Sequence, residues 1–118
     1  MRYAIIGSRT FNNYDVMYDV LERHYISQIV SGGAIGADSL ASRYASEKSI
    51  PLIVFKPDWD KYPVTAGFVR NKQIIRAVDV VLAFWDGFST GTKDSLDHAK
   101  KLRKKIIVIN FDGTQKGN

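Results

Sequence analysis

Five short runs of Ile, Val, Leu and aromatic side chains recur along the chain: Tyr3 to Ile6, Ile29 to Ser31, Leu52 to Phe55, Val80 to Trp85 and Ile106 to Asn110. Each is apolar at successive rather than alternate positions, which is the pattern of parallel strands covered on both faces. Between the runs the spacing changes to three and four. Tyr14 to Tyr25 puts Val16, Met17, Val20 and Leu21 on one stripe, and Asp38 to Lys48 does the same with Leu40, Ala41, Tyr44 and Ala45. A third helix is predicted from Gly67 to Ala77 with Phe68, Ile74 and Ile75 inward, and a fourth from Thr92 to Arg103 through Leu96, Ala99 and Leu102. The order βαβαβαβαβ, with right-handed crossovers, gives a single-domain α/β fold: a doubly wound three-layer sandwich on a five-stranded parallel sheet. The domain spans 1–111, and the polar, glycine-bearing tail 112–118 is expected to be flexible.

In such a fold ligands bind beyond the carboxyl ends of the strands. Every unusual cluster of this sequence falls there. Gly7, Ser8 and Arg9 follow the first run, and "SGGAIGAD" at 31–38 follows the second. Ser31, Gly32, Gly33 and Gly36 leave backbone N–H groups bare at the positive end of a helix, a setting suited to a phosphate oxygen. A second such mouth follows the fourth run, where Gly91 opens a helix, Ser89, Thr90 and Thr92 bring hydroxyls and Lys93 brings a cation. Neither loop has the spacing of a dinucleotide G-x-G-x-x-G or of a P-loop, so ordinary dehydrogenase and NTPase readings weaken.

Around these mouths stand the candidate contact residues. Arg9 is placed to clamp a phosphate, and Arg70 with Asn71 lies in the first turn of the third helix, within reach of phosphate or ribose. Asp38 suits either the start of its helix or a ribose hydroxyl, because a carboxylate repels phosphate. Trp59 and Trp85 are candidates to stack on a base. Asp58, Asp60 and Asp86 are the remaining acids of the rim, without the paired spacing that would fix an acid and a base. His24 and His98 stand apart on separate helices, as ordinary helix residues rather than metal ligands.

Charge and composition add little more. With 17 Lys and Arg against 12 Asp and Glu, the net charge of +5 suits a polyanionic partner, although much of it lies in "KKLRKK" at 100–105. There is no cysteine, no charged-then-apolar leader and no apolar run of bilayer length, so a cytoplasmic protein with no membrane partner is expected.

Four ordered segments, "GSRTF", "SGGAIGADSLASRYA", "PDWDKYPVTAGFVRN" and "FWDGFSTGT", resemble the YspA-like branch of the SLOG superfamily, named for Smf/DprA and the "lonely guy" proteins. The resemblance implies a Rossmann-like fold whose relatives bind or process nucleotides and nucleotide-derived signals, in a branch common in bacteria and phages. "FVRNKQIIRAVDVVLAFWDGFSTGT" is similar to the lonely-guy pattern of an arginine-lysine pair before a strand and a PGGxGTxxE loop. Arg70 matches the arginine, Asn71 stands for the lysine, and Gly91-Thr92 match the GT. The catalytic glutamate would fall three residues after Thr92, where this chain has Ser95. Asp94 is adjacent, but one residue turns a helical side chain by about 100°.

The resemblance therefore implies a sensor or sequestering protein for a nucleotide-derived signal, of ADP-ribose or cyclic-nucleotide type. One alternative is an N-glycosidase that cleaves nucleoside monophosphates, with Arg70 and a relocated carboxylate, Asp38 or Asp86, as catalytic candidates. A second is single-stranded DNA binding, with Lys100, Lys101, Lys104 and Lys105 tracking phosphates. No cofactor is required in any of these readings. Magnesium, if bound, would come through ligand phosphates and Asp86, and a homo-oligomer is expected.

Overall fold

All five apolar runs join one parallel sheet: β1 (Arg2–Gly7), β2 (Gln28–Ser31), β3 (Leu52–Val54), β4 (Val80–Phe84) and β5 (Lys105–Ile109), in the order β3-β2-β1-β4-β5. This computed structural model describes residues 1–117; the last tail residue, Asn118, lies outside the described residues. Four helices connect the strands: α1 (Tyr14–Leu21), α2 (Ala37–Glu47), α3 (Ala66–Arg76) and α4 (Thr90–Lys101). The expected α/β, doubly wound architecture is what the chain adopts.

The layers follow from side-chain alternation along the central strands. Tyr3, Ile5, Val80, Leu82 and Phe84 point to one face and are buried with Met17, Val20 and Leu21 of α1 and Ala41, Tyr44 and Ala45 of α2. Ala4, Ile6, Val81 and Ala83 point to the other and meet Ile74 and Ile75 of α3 and Leu96 and Ala99 of α4. All five residues of β4 are buried, as a strand covered on both faces requires. The edge strand β3 departs from that pattern, with Ile53 and Val54 exposed because no strand and little helix lies beyond them.

Local chemistry sets the helix ends. Asn13 caps α1, its Oδ1 accepting from Val16 N at 3.1 Å. The helix stops at Leu21 rather than at Tyr25, and the amides of Arg23 and His24 bond three residues back, to Val20 and Leu21. His24 thus leaves the helix and meets the Tyr3 hydroxyl through Nδ1 at 3.1 Å. Residues 112–116 of the tail fold back along β5. Gly113, at φ 91°, turns the chain back, Asn110 N donates to Thr114 O and Lys116 N to Val108 O, and Gln115 bridges Ile109 antiparallel. The open edge of β5 supplied the partners that the tail's polar composition concealed.

His98 gives the fold a pH dependence. It lies on α4 with Nε2 buried and without a hydrogen-bond partner among the described residues. Burial lowers its pKa first, then the charges of Lys72 and Arg76; burial also lowers that of His24. Both imidazoles thus bind protons less readily in the fold than in the unfolded chain, which takes them up from about pH 6.5 downward. Where the unfolded state binds more protons, stability falls with pH, so it should decline from about pH 6.5 toward the lowered folded values. Urea melts at pH 7.5 and 5.5 should show the decline, and His98→Leu should reduce it; an unchanged slope would mean that His98 is solvated.

Candidate functional site

The sheet order reverses between β1 and β4, and there the connecting loops run apart to opposite faces. A crevice of about 690 Å³ opens at this point, floored by Ile6, Gly7 and Ile74 and walled by the loops after β1, β2, β3 and β4. Its volume is in the range of small-ligand sites, about 300–1,000 Å³.

Arg70 and Asn71 organise the centre. The Arg70 Nη1 donates to Gly32 O at 2.7 Å and its Nε to Asn71 Oδ1 at 3.0 Å. The Asn71 amide in turn donates to Gly91 O and Asp94 Oδ2, each at 3.3 Å. One pair of adjacent residues therefore ties the β2 loop, α3 and the first turn of α4 together. Gly32 is required for this: a Cβ there would lie 2.5 Å from Arg70 Nη1. Burial lowers the Arg70 pKa, but a guanidinium remains charged, so the crevice holds a fixed cation.

Asp38 lies on the same wall, 8% exposed, its Oδ2 accepting from Ala34 N at 3.1 Å. Burial raises its pKa, opposed by the Ala34 amide and the Arg70 charge. Its carboxylate holds the glycine loop closed. The start of α2 is not an open mouth: Gly36 packs on the β1 loop, and Ala37 N donates to Ser8 O at 3.3 Å. Of the first-turn amides of α2, that of Ala37 is thus taken by the protein's own backbone, while Gly32, Gly33 and Asp38 still line the crevice.

The α4 mouth does open into the crevice. Ser89 occupies the cap position, where its oxygen would ordinarily accept from the first turn. Instead its hydroxyl lies 3.0 Å from both Asp86 oxygens and 2.9 Å from the Ser8 hydroxyl. Asp86 also accepts from the amides of Phe88 and Ser89, both at 2.8 Å, and these amides first and foremost hold its carboxyl below the usual range. With the cap turned away, the amides of Thr90, Gly91 and Thr92 have no protein partner among the described residues. Thr92 and Ser95, 6% and 4% exposed, line the same space. Ser95, at the position of the lonely-guy glutamate, lines the crevice while Asp94 does not.

Of the residues singled out from sequence, Gly7, Arg9, Gly32, Gly33, Asp38, Trp59, Arg70, Asn71, Ser89, Thr90, Gly91 and Thr92 line the crevice. The others do not. Ser8 and Ser31 are buried beneath the loops, and Gly36 is a packing residue. Lys93 pairs with Asp97 at 3.0 Å in solvent. Asp86 is committed to the turn before α4. Trp85 packs on the α3/α4 layer and donates from Nε1 to Ser89 O at 3.1 Å, so its ring is structural. Phe68, expected in the core, is 50% exposed and lines the crevice. It shares the stripe of Ile75, about 20° away around the helix, but its turn overhangs the crevice instead of the sheet. Sequence reasoning also missed Thr10, Val64, Gly67 and Ser95 as lining residues. For Ser95 the signal was present, since it follows Thr92 by three.

This arrangement, a doubly wound α/β domain with a polar crevice at its switch point, has known counterparts. The chain belongs to the YspA, cpYpsA-related SLOG family, whose sequence model matches residues 1–62, from β1 into the loop after β3. It is similar to the Gene 61 protein of Mycobacterium phage D29, at 36% identity across 93% of this chain and 95% of that one. Among solved structures it is similar to DNA processing protein A from Helicobacter pylori, described for its single-stranded DNA binding mode. That match has a TM-score of 0.70 and 25% identity over 92% of this chain. The chain spans 65% of that protein's length.

Proposed function

We propose that the crevice binds a nucleotide or nucleotide-derived signal by its phosphate, and that the protein acts as a sensor or sequestering protein. The observation that carries this reading is the uncapped first turn of α4: bare amides at 90–92, with the Thr92 and Ser95 side chains lining the same space. Amides at a helix start carry partial positive charge, so an anion satisfies donors that the fold leaves empty. Arg9 and Arg70 supply the cationic clamps. The rim acids argue for retention rather than turnover, because Asp86 is bound by amides and Asp38 by Ala34 N, and Ser95 is no acid.

Calorimetric titration with adenosine 5′-monophosphate tests the reading, with Gly91→Ala as the probe variant. A Cβ at Gly91 meets nothing of the protein within 4 Å, so the methyl intrudes only on the ligand's space. Affinity should fall about tenfold, the equivalent of about 1.4 kcal/mol. Binding by the wild-type chain that is indifferent to this change would move the phosphate elsewhere. Free base released from nucleoside monophosphates or NAD would replace the sensor with an N-glycosidase.

A second reading, single-stranded DNA binding, is supported by the likeness to DNA processing protein A. Lys100, Lys101, Lys104 and Lys105 have no ion-pair partner among the described residues. They lie at the far end of α4 from the crevice; its 12 residues are about 18 Å long. Oligonucleotide affinity that drops steeply with salt and on neutralising these four lysines would place DNA on that rim. Affinity lost on Arg70→Ala would place it in the crevice.

A further inference from the structure

Like Gly91, Gly67 is a crevice glycine that the fold does not need. Gly67 is the second residue of α3, its φ is not positive, and a Cβ built on it meets nothing within 4 Å. Alanine would be the better helix former there. Gly32 and Gly36, by contrast, have protein atoms at 2.5 Å from such a Cβ. What Gly67 does offer is bare backbone facing the crevice, with unusual neighbours. Trp59 and Phe68, 55% and 50% exposed, line the same space, and neither ring is stacked on another aromatic among the described residues. Val64, 84% exposed, adds a third apolar side chain to the crevice lining, which also holds the start of α4.

An amphipathic ligand fits this division: an anionic end for α4 and a flat apolar end for α3. Open aromatic faces are sequence-tolerant platforms for nucleobases, and a ring approaches a glycine backbone more closely than it can approach a side chain. We infer that the first turn of α3 is a base subsite, in which a nucleobase lies over the Gly67 backbone with Trp59 and Phe68 as its stacking partners. The inference rests on the phosphate reading of the α4 mouth and extends it: the ligand class is an intact nucleotide, recognised through its base as well as its phosphate. A sugar phosphate alone fills half of the site.

The test compares adenosine 5′-monophosphate with ribose 5-phosphate, by calorimetry, on the wild-type chain and on Gly67→Ala, Phe68→Leu and Arg70→Ala. Gly67→Ala should raise the melting temperature, because it restricts the unfolded chain, and yet weaken the nucleotide about tenfold. Ribose 5-phosphate affinity should be unchanged. Phe68→Leu should weaken the nucleotide alone without the gain in stability. Unchanged nucleotide affinity in Gly67→Ala, an equal loss for both ligands, or a lowered melting temperature would each overturn the subsite. If Arg70→Ala abolishes nucleotide binding while Gly67→Ala does not alter it, the subsite falls and the phosphate reading stands. If the wild-type chain binds neither ligand, both fall.

Discussion

Gly36→Ala is expected to cost the domain about 3–5 kcal/mol, from the strain of a glycine-only conformation and a steric clash together. Gly36 sits at φ 82° and ψ −130°, where a side chain is strained, and its Cβ would lie 2.5 Å from the carbonyl oxygens of both Ser8 and Arg9. Backbone carbonyls cannot rotate away as the end of a long side chain can. The β1 loop would have to lift from the start of α2, taking with it the bond from Ala37 N to Ser8 O. Since domains of this size are stable by about 5–15 kcal/mol, the loss is a large share of the total. Urea denaturation should show a much lower midpoint with an unchanged slope. Gly91→Ala, on the same rim but in open space, should leave the midpoint where it was or raise it. A Gly36→Ala protein that melted with the wild type would refute the packing of α2 on the β1 loop.

That contrast also marks how far the site was legible. The sheet was readable because a strand buried on both faces has little choice of residue: β4 is Val-Val-Leu-Ala-Phe and wholly buried. The rim was readable because glycines and hydroxyls after strands are costly unless something requires them. What one chain of letters does not separate is a glycine that admits a ligand from a glycine that admits the protein itself. Gly32 makes room for Arg70 and Gly36 for the β1 loop, while Gly67 and Gly91 face open space. The same ambiguity exchanged the aromatic roles. Trp85, one residue past β4, is held under the α4 mouth by Ser89 O, whereas Phe68, on a core-facing stripe, emerges where the sheet has ended. Asp86 was legible in principle, since an aspartate three residues before a helix-opening serine is a turn-forming signal as much as a catalytic one.

Arg70 is the position where the largest loss of binding is expected. Its Nη1 and Nε are committed in two directions, to Gly32 O and Asn71 Oδ1, so the guanidinium plane is fixed before a ligand arrives. A prearranged charge-assisted donor loses little entropy on binding and discriminates strongly for phosphate. Arg70→Ala should therefore weaken adenosine 5′-monophosphate by about 100-fold, roughly 2.7 kcal/mol. Stability should drop by only about 1 kcal/mol for the orphaned Gly32 carbonyl. Arg70→Lys retains the charge but has one nitrogen where two are used, so it should recover only part of the affinity. Asn71→Ala separates charge from orientation. It leaves the guanidinium in place but removes its partner and the links to Gly91 O and Asp94, so it should weaken the nucleotide in the Arg70 protein and add little in Arg70→Ala. Additive losses in that double-mutant cycle would mean that Asn71 acts on the α4 turn directly and that the guanidinium orients itself.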